Sequence, residues 1–472
     1  MYVPTPTDTA VELLARLSDE TERLDRIDKY LRGEHDGPYT PRKASREYKI
    51  LAQRSVTNLL PLVVNGLAQS LYVDGYRSGD TDEPASAWRH WQHNGLDARQ
   101  SAIHRAALSY GRAYVVVVPG KDAEGAEAVP TVRGYSPRRM IAAYADDDDE
   151  WPEYAVRWAS ATVEGKSGRR VWFYDDETVH VFTSTSADGG DLAPEDSYEH
   201  GAGVTPVVEF RHLPDLEGRA LGEVEPLIAL QDRANQSTFD LLVAQTFSSF
   251  KIRTVSGMAP KFDDDGNPVP LPVDAARLLM ATDPDTKFSQ LDETDLRPLL
   301  DSIDAAVRHM AVVSQTPPSD LLGQLVNLSA EAITAARDGA NRRRAETQAV
   351  FGECWEKVLR LCELVLGGDA DTSAQVSWRD MEGRSLAQIA DALGKLAQTL
   401  EVPVEALWPR IPGVTQTDIE AWQRMRATDR AADPLSKLAD HVNQTAGGDG
   451  GLDNVINAAD VAASAATGAA SG

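Results

Sequence analysis

Apolar residues recur at helical spacing over Asp8–Leu31, where Val11, Leu14, Leu17, Leu24, Ile27 and Leu31 follow at three-, four- and seven-residue steps. The pattern predicts an amphipathic helix that "RGEHDGP" (Arg32–Pro38) breaks. A second apolar helix is predicted over Asn58–Leu71, and "YVDGYR" after it reads as a hairpin with Asp74-Gly75 at the turn. Ala85–Asn94 and Asp97–Tyr110 read as two more helices. The latter leads into "RAYVVVVPG", a buried strand ended by Pro119-Gly120. From Val129 to Phe210 the period shifts to two. "AVPTVRGY", "MIAAYA", "YAVRWAS", "RRVWFYDD", "TVHVFTS" and "TPVVEFR" predict an antiparallel region of about six short strands.

Helical periodicity returns over Glu223–Phe250 and again over Leu296–Val313. Between them lies a turn-rich insert, Lys251–Asp295, with "RLLMAT" and "KFSQLD" as candidate strands. After the second helix comes "SQTPPSDLLGQLVNLSAEA" (Ser314–Ala332), and then a long helix from Ser329 to Leu366. Ser329 suits its cap, Glu331 its first turn and Gly367-Gly368 its stop. The first half of this helix is small and polar, ends in Arg342–Arg344, and is predicted to project. The second half (Phe351, Trp355, Val358, Leu359, Cys362, Val365, Leu366) is predicted to pack into a domain, with Gly352 as a candidate kink. A helical module follows over Ser385–Thr399, Pro403–Trp408 and Gln416–Arg426. From Thr445 a Gly-, Ala-, Asp- and Ser-rich composition predicts a mobile tail.

Composition narrows the class. A 472-residue chain with 42% hydrophobic residues supports roughly two to four folded domains. Apolar runs such as "YVVVVP" fall short of the roughly 18 residues a membrane span needs, and the N-terminus lacks the layout of a signal peptide. The expectation is a protein made and used in a cytoplasm, or packed into something assembled there. Cys354 and Cys362 lie eight apart on one helix, roughly 12 Å between Cα atoms, beyond disulfide reach. Both read as buried apolar residues. The net charge of −26 argues against tight phosphate binding. It suits either solubility or a slippery contact beside nucleic acid.

Catalytic chemistry is hard to find. The chain has no phosphate-binding glycine loop, no dinucleotide fingerprint, no nucleophile elbow and no H-E-x-x-H. His90 and His93 read as a chance pair on a surface helix, Asp146–Glu150 as a solvated loop, and "DDDGN" (Asp263–Asn267) as a β-turn. A non-enzymatic protein with neither cofactor nor metal is expected.

The order of segments, with "YLRGEH" (Tyr30–His35), "WRHWQHNGLDARQSAIHRAALSYGRAYVVV" (Trp88–Val117), "IALQDRANQ" (Ile228–Gln236) and "TPPSDLLGQLVNLSAEAI" (Thr316–Ile333), resembles the portal proteins of tailed double-stranded-DNA phages, in the long-tailed branch. The resemblance covers most of Tyr30–Leu366. It implies an α+β portal fold: a wing (1–222), a two-helix stem (223–250 and 296–314) around a clip (251–295), and a tunnel loop (315–328). A long helix (329–366) then returns to the wing, before a helical crown (367–444) and the tail (445–472). It also implies a ring of twelve subunits at the capsid vertex of a virion, assembled in the host cytoplasm. Double-stranded DNA would pass through the ring without sequence specificity. The implied partners are the terminase large subunit, the head–tail adaptor, and the major capsid and scaffolding proteins, with no membrane.

On this reading Pro317 and Pro318 end the stem helix and turn the chain inward. Asp320, Gly323, Gln324 and Asn327 face DNA. Lys251, Arg253, Lys261, Asp263, Asp264 and Asp265 mark the docking clip. Arg342–Arg344 either pair with acids of a neighbouring subunit or face DNA or another capsid protein. Two other readings of the chain are a nucleic-acid-processing enzyme subunit built on the β region, and an oligomeric scaffold that handles no DNA.

Overall fold

The computed structural model describes residues 5–40, 45–78, 87–121, 128–146, 149–163, 165–186, 190–248, 253–256, 287–290, 295–323, 330–379, 386–411, 413–414 and 416–432. The chain begins with helices α1 (Pro6–Leu31), α2 (Arg46–Arg54) and α3 (Leu60–Ala68), strand β1 (Val73–Arg77), and helices α4 (Trp88–His93) and α5 (Leu96–Tyr110). Strands β2 (Arg112–Lys121), β3 (Ala128–Tyr135), β4 (Met140–Ala143), β5 (Tyr154–Val163), β6 (Lys166–Tyr174), β7 (Thr178–Ser184), β8 (Ala193–Glu199) and β9 (Val207–Arg211) follow. Next come α6 (Ile228–Ser248), β10 (Arg253–Ser256), β11 (Lys287–Gln290), α7 (Arg297–Val313), α8 (Pro318–Leu322) and α9 (Ala330–Val365). The chain closes with β12 (Gln375–Trp378), α10 (Leu386–Thr399), α11 (Val404–Leu407) and α12 (Gln416–Ala432).

The β region is two antiparallel sheets, β3-β2-β9 and β4-β5-β6-β7-β8. Alternation along each strand serves two buried faces. Ala155 joins Tyr114, Val116, Met140, Tyr174 and Val207 in a core shared by the two sheets. Its neighbour Val156 points the other way, with Val171, Phe173 and Phe182, onto Ala10, Leu13 and Leu14 of α1. That is why the apolar stripe of α1 is so regular. Its start is set by a capping box between Thr5 and Asp8, with Pro6 in the first turn.

A charged group enters the β core. Glu209 on β9, its side chain fully buried, accepts from Arg112 Nη1 and Arg211 Nε at 2.9 Å each. Burial would lower both arginines, yet the carboxylate raises both above their ordinary value. Arg112 and Arg211 sit directly opposite across β2 and β9.

The second half of α9 covers the β2–β9 sheet with α5. Trp355 lies edge-on to Trp91 (4.8 Å) and Phe210 (4.9 Å), and its Nε1 donates to His104 Nε2 at 2.9 Å. Burial pushes His104 down to about 3, whereas an unfolded chain takes up that proton near its ordinary 6.5. Stability therefore falls as pH drops from 6.5 towards 3, by at most about 1.4 kcal/mol per pH unit from this residue. His104→Gln should flatten that limb in denaturant titrations run across the window. An unchanged slope would assign the acid sensitivity to other groups. Cys354 and Cys362 are free and buried, and burial pushes the Cys354 thiol up to about 12.

Several expectations are corrected. "YVDGYR" is not a hairpin: Val73–Arg77 is a single strand paired with Gln375–Trp378, with an irregularity between Val73 and Gly75 that glycine accommodates. β2 continues through Pro119-Gly120, because β9 pairing stops at Val116 and only β3 flanks the proline. β8, exposed along its whole length, shows no alternation to read. β10, inside the insert, pairs with β11, the strand expected from "KFSQLD", while "RLLMAT" lies outside the described residues. His90 is buried rather than on the surface, 3.3 Å from Glu363. α9 runs through Gly352 without interruption. The 445–472 tail and Ser329 lie outside the described residues.

By contact the chain forms two units, 1–72 with 89–372, and 73–88 with 373–472. In the second, the β1–β12 ribbon is tied by Arg379 Nε to Asp74 at 3.3 Å, and Trp408 meets Trp422 edge-on at 5.7 Å. Among the described residues no helix is long and apolar enough to cross a membrane.

Candidate functional site

The segment after α7, which the resemblance assigns to a DNA-facing loop, starts at a tightly built helix end. α7 does not run up to the prolines. Ser314 caps it, Gln315 takes a left-handed φ of 50°, and two bonds close the end: Gln315 N to Val312 O (3.2 Å) and Thr316 N to Ala311 O (2.9 Å). This is a Schellman stop made with a non-glycine residue. Pro317 and Pro318 therefore do not end the helix. Pro318 opens α8, since a proline costs nothing in a first helical turn. Gly323, at φ 64°, closes α8 with its N–H on Ser319 O at 2.9 Å. Asp320 is exposed in the first turn and Leu321 is buried. Gln324, Asn327, Lys251, Lys261, Asp263, Asp264 and Asp265 lie outside the described residues, and Arg253 opens β10.

Arg343 anchors the start of this segment. It is the middle residue of the basic triplet and points into its own subunit, its side chain 10% exposed. One guanidinium nitrogen pairs with Glu223 and another donates to the Ser314 carbonyl at the end of α7. The same Glu223 oxygen, Oε1, accepts from His212 Nε2 at 2.7 Å. Burial would raise Glu223, but the His212 hydrogen bond and the Arg343 charge outweigh it and hold the carboxyl below its ordinary value. For Arg343, pairing within the chain replaces the expected pairing with a neighbour.

Glu223 reaches this knot because two glycines let the backbone pass. A Cβ on Gly222 would sit 2.4 Å from Ser109 O, and one on Gly111 would sit 2.6 Å from Ala220 O. The strand-like run into Glu223 thus lies flush against the end of α5, with Glu223 N on Leu108 O at 2.7 Å.

A second anchor holds α6. "YLRGEH" and "IALQDRANQ" meet in space. The Tyr30 hydroxyl donates to Asp232 at 2.8 Å, and burial followed by that carboxylate pushes the phenol well above its ordinary range. Asn235 Oδ1 accepts from Thr57 N (3.2 Å) and Gln231 Nε2 (3.0 Å), so its Nδ2 donates to His35 Nδ1 at 2.8 Å. His35 Nε2 then carries the proton and donates to Tyr30 O at 3.0 Å. Gln231 and Asn235 are fully buried, and every polar atom named here has a partner. α6 is pinned at one end by this cluster and packs along α7, with Ser237 and Ser302 hydroxyls 3.0 Å apart.

Among the described residues no group of three or more His, Cys, Asp or Glu is placed to hold a metal ion. The arrangement can hold a helical hairpin and the loop beyond it rigidly against a β-rich body. The His212–Glu223–Arg343 knot left little trace in the sequence. The basic triplet Arg342–Arg344 stands out in an acidic chain, but nothing in it points to Glu223 or His212 as partners.

A family model described as "Phage portal protein, SPP1 Gp6-like" matches residues 12–432. The portal proteins of Mycobacterium phage D29 and Mycobacterium phage L5 are each 28% identical to the chain, over 353 and 352 residues, covering 71% of this chain and 71% of each relative. A chain from the virion of a native gene transfer agent particle aligns with a TM-score of 0.45 at 12% identity, covering 82% of this chain and 100% of its own. A chain from the neck of the empty particle aligns at 0.43 and 12%, covering 81% and 96%.

Proposed function

The chain belongs to the SPP1 Gp6-like family of phage portal proteins, and from that membership we propose that its copies close into a twelve-membered ring through which double-stranded DNA enters and leaves a phage head. The family match across 12–432 is the observation that carries the reading. The role is structural rather than enzymatic. In this reading α6 and α7 form the stem, 315–328 lines the bore, and 251–295 is the clip that meets the terminase large subunit and then the adaptor. Capsid and scaffolding proteins meet the wing. Leu300, Val312 and Val313 on α7 are half or more exposed, which supports a stem face completed by a neighbouring copy. The net charge of −26, repeated around a ring, supports a lining that repels phosphate and lets DNA slide.

The test is to make the loop sticky. Gln324→Lys with Asn327→Lys should leave rings intact but slow packaging several-fold at about 50 mM salt, with much of the rate restored near about 200 mM, as phosphate contacts weaken with salt. Packaged DNA length against time, for parent and variant at both salts, reads this directly. Superimposable curves would remove the loop from the bore.

A further inference from the structure

The geometry points to Arg343 as the positioning residue for the loop that follows α7. This rests on the reading that the 315–328 segment faces DNA. Three stretches that are distant in sequence meet at one guanidinium. It sits on α9, pairs with Glu223 ahead of α6, and donates to the Ser314 carbonyl at the end of α7; Glu223 is in turn held by His212 just past β9. The direction in which the chain leaves α7 is decided within two residues of that carbonyl, at the left-handed Gln315. Fixing Ser314 O therefore fixes where the loop starts and which way it heads.

A guanidinium is suited to this and an ammonium is not. Its planar fork presents two N–H groups in fixed directions, one to a carboxylate and one to a helix-end carbonyl, where partial negative charge collects. Lysine would keep the charge beside Glu223 but has no second rigid arm for Ser314. The fold and the charge balance of the knot should then survive in the Arg343→Lys variant, while the take-off of the loop loosens. Arg343→Met combined with Glu223→Gln is the second probe. It removes both charges together, so no unpaired ion is left buried.

The experiment uses full-length chain assembled into DNA-packaging heads, with p-benzoylphenylalanine in place of the exposed Asp320. Illumination after packaging linear double-stranded DNA gives a crosslink yield, and light scattering gives the ring mass. With Arg343 present, the loop should crosslink to DNA. In rings of unchanged mass, both knot variants should lower the yield about five-fold or more, because a loop loosened by an ångström or two no longer presents one residue consistently. Equal yields in intact rings would overturn the role of Arg343 while leaving the loop reading standing. No crosslink even with Arg343 would overturn the loop reading, and this inference with it. Failure of both variants to form rings would make Arg343 a folding residue and overturn the positioning role.

Discussion

Glu209→Leu is expected to cost the folded chain about 3–5 kcal/mol, the usual penalty for removing one partner of a buried ion pair. The carboxylate lies between Arg112 and Arg211, which face each other across β2 and β9. Without it two cations oppose each other across β2 and the edge strand β9, and the carboxylate that accepts from both is gone. The Arg112 side chain also donates to Gly218 O at 2.6 Å, so the loop after β9 should loosen as well. Denaturant titration of the full chain measures the loss. Replacing Arg112 and Arg211 by leucine in the same variant should recover a good part of it, since an apolar trio strands no charge. A single-variant loss below about 1 kcal/mol would mean that water reaches the arginines and the cluster contributes little.

Trp355→Ala carries a comparable penalty, about 3–5 kcal/mol, by a different route. Trp355 is completely buried among Trp91, Phe210 and Phe351, and it joins α9 to α5 through His104. Alanine leaves a ring-sized void that close-packed neighbours fill only in part. Trp355→Phe should lose less, because a ring remains, but His104 Nε2 then loses its indole donor. The two variants should therefore rank alanine below phenylalanine in unfolding midpoint, with both below the parent. If alanine and phenylalanine proved equal, the hydrogen bond rather than the packing would dominate.

The sequence made plain those elements whose environment differs strongly from one face to the other. α1 and α7 each show a buried side against a wetter one, and β4 alternates between buried and half-buried positions, so their residues recur accordingly. β8 reads "APEDSYE", exposed at every position, so no periodicity marks it. β1 and β12 pair from opposite ends of the chain, and a short strand without a local partner looks like a turn. The end of α7 fell where the periodicity put it, at Val313, but its stop signal was misassigned for a specific reason. Pro317-Pro318 is a loud signal, but proline opens helices as readily as it stops them, and the quiet left-handed Gln315 does the stopping. Of the candidate site, the two helices that flank the 315–328 segment were legible from their periodicity. The knot was not, since nothing local in Glu223, His212 or Arg343 foretells that they meet.

β8 is the edge strand of its sheet, and among the described residues no strand pairs with its outer row of backbone groups. Many identical chains held close together would be expected to zip along such a row into an open-ended ribbon. Here Glu195, Asp196 and Glu199 set like charges along any such meeting, and Pro194 removes one donor from the row. An open-ended ribbon along this edge is thereby disfavoured.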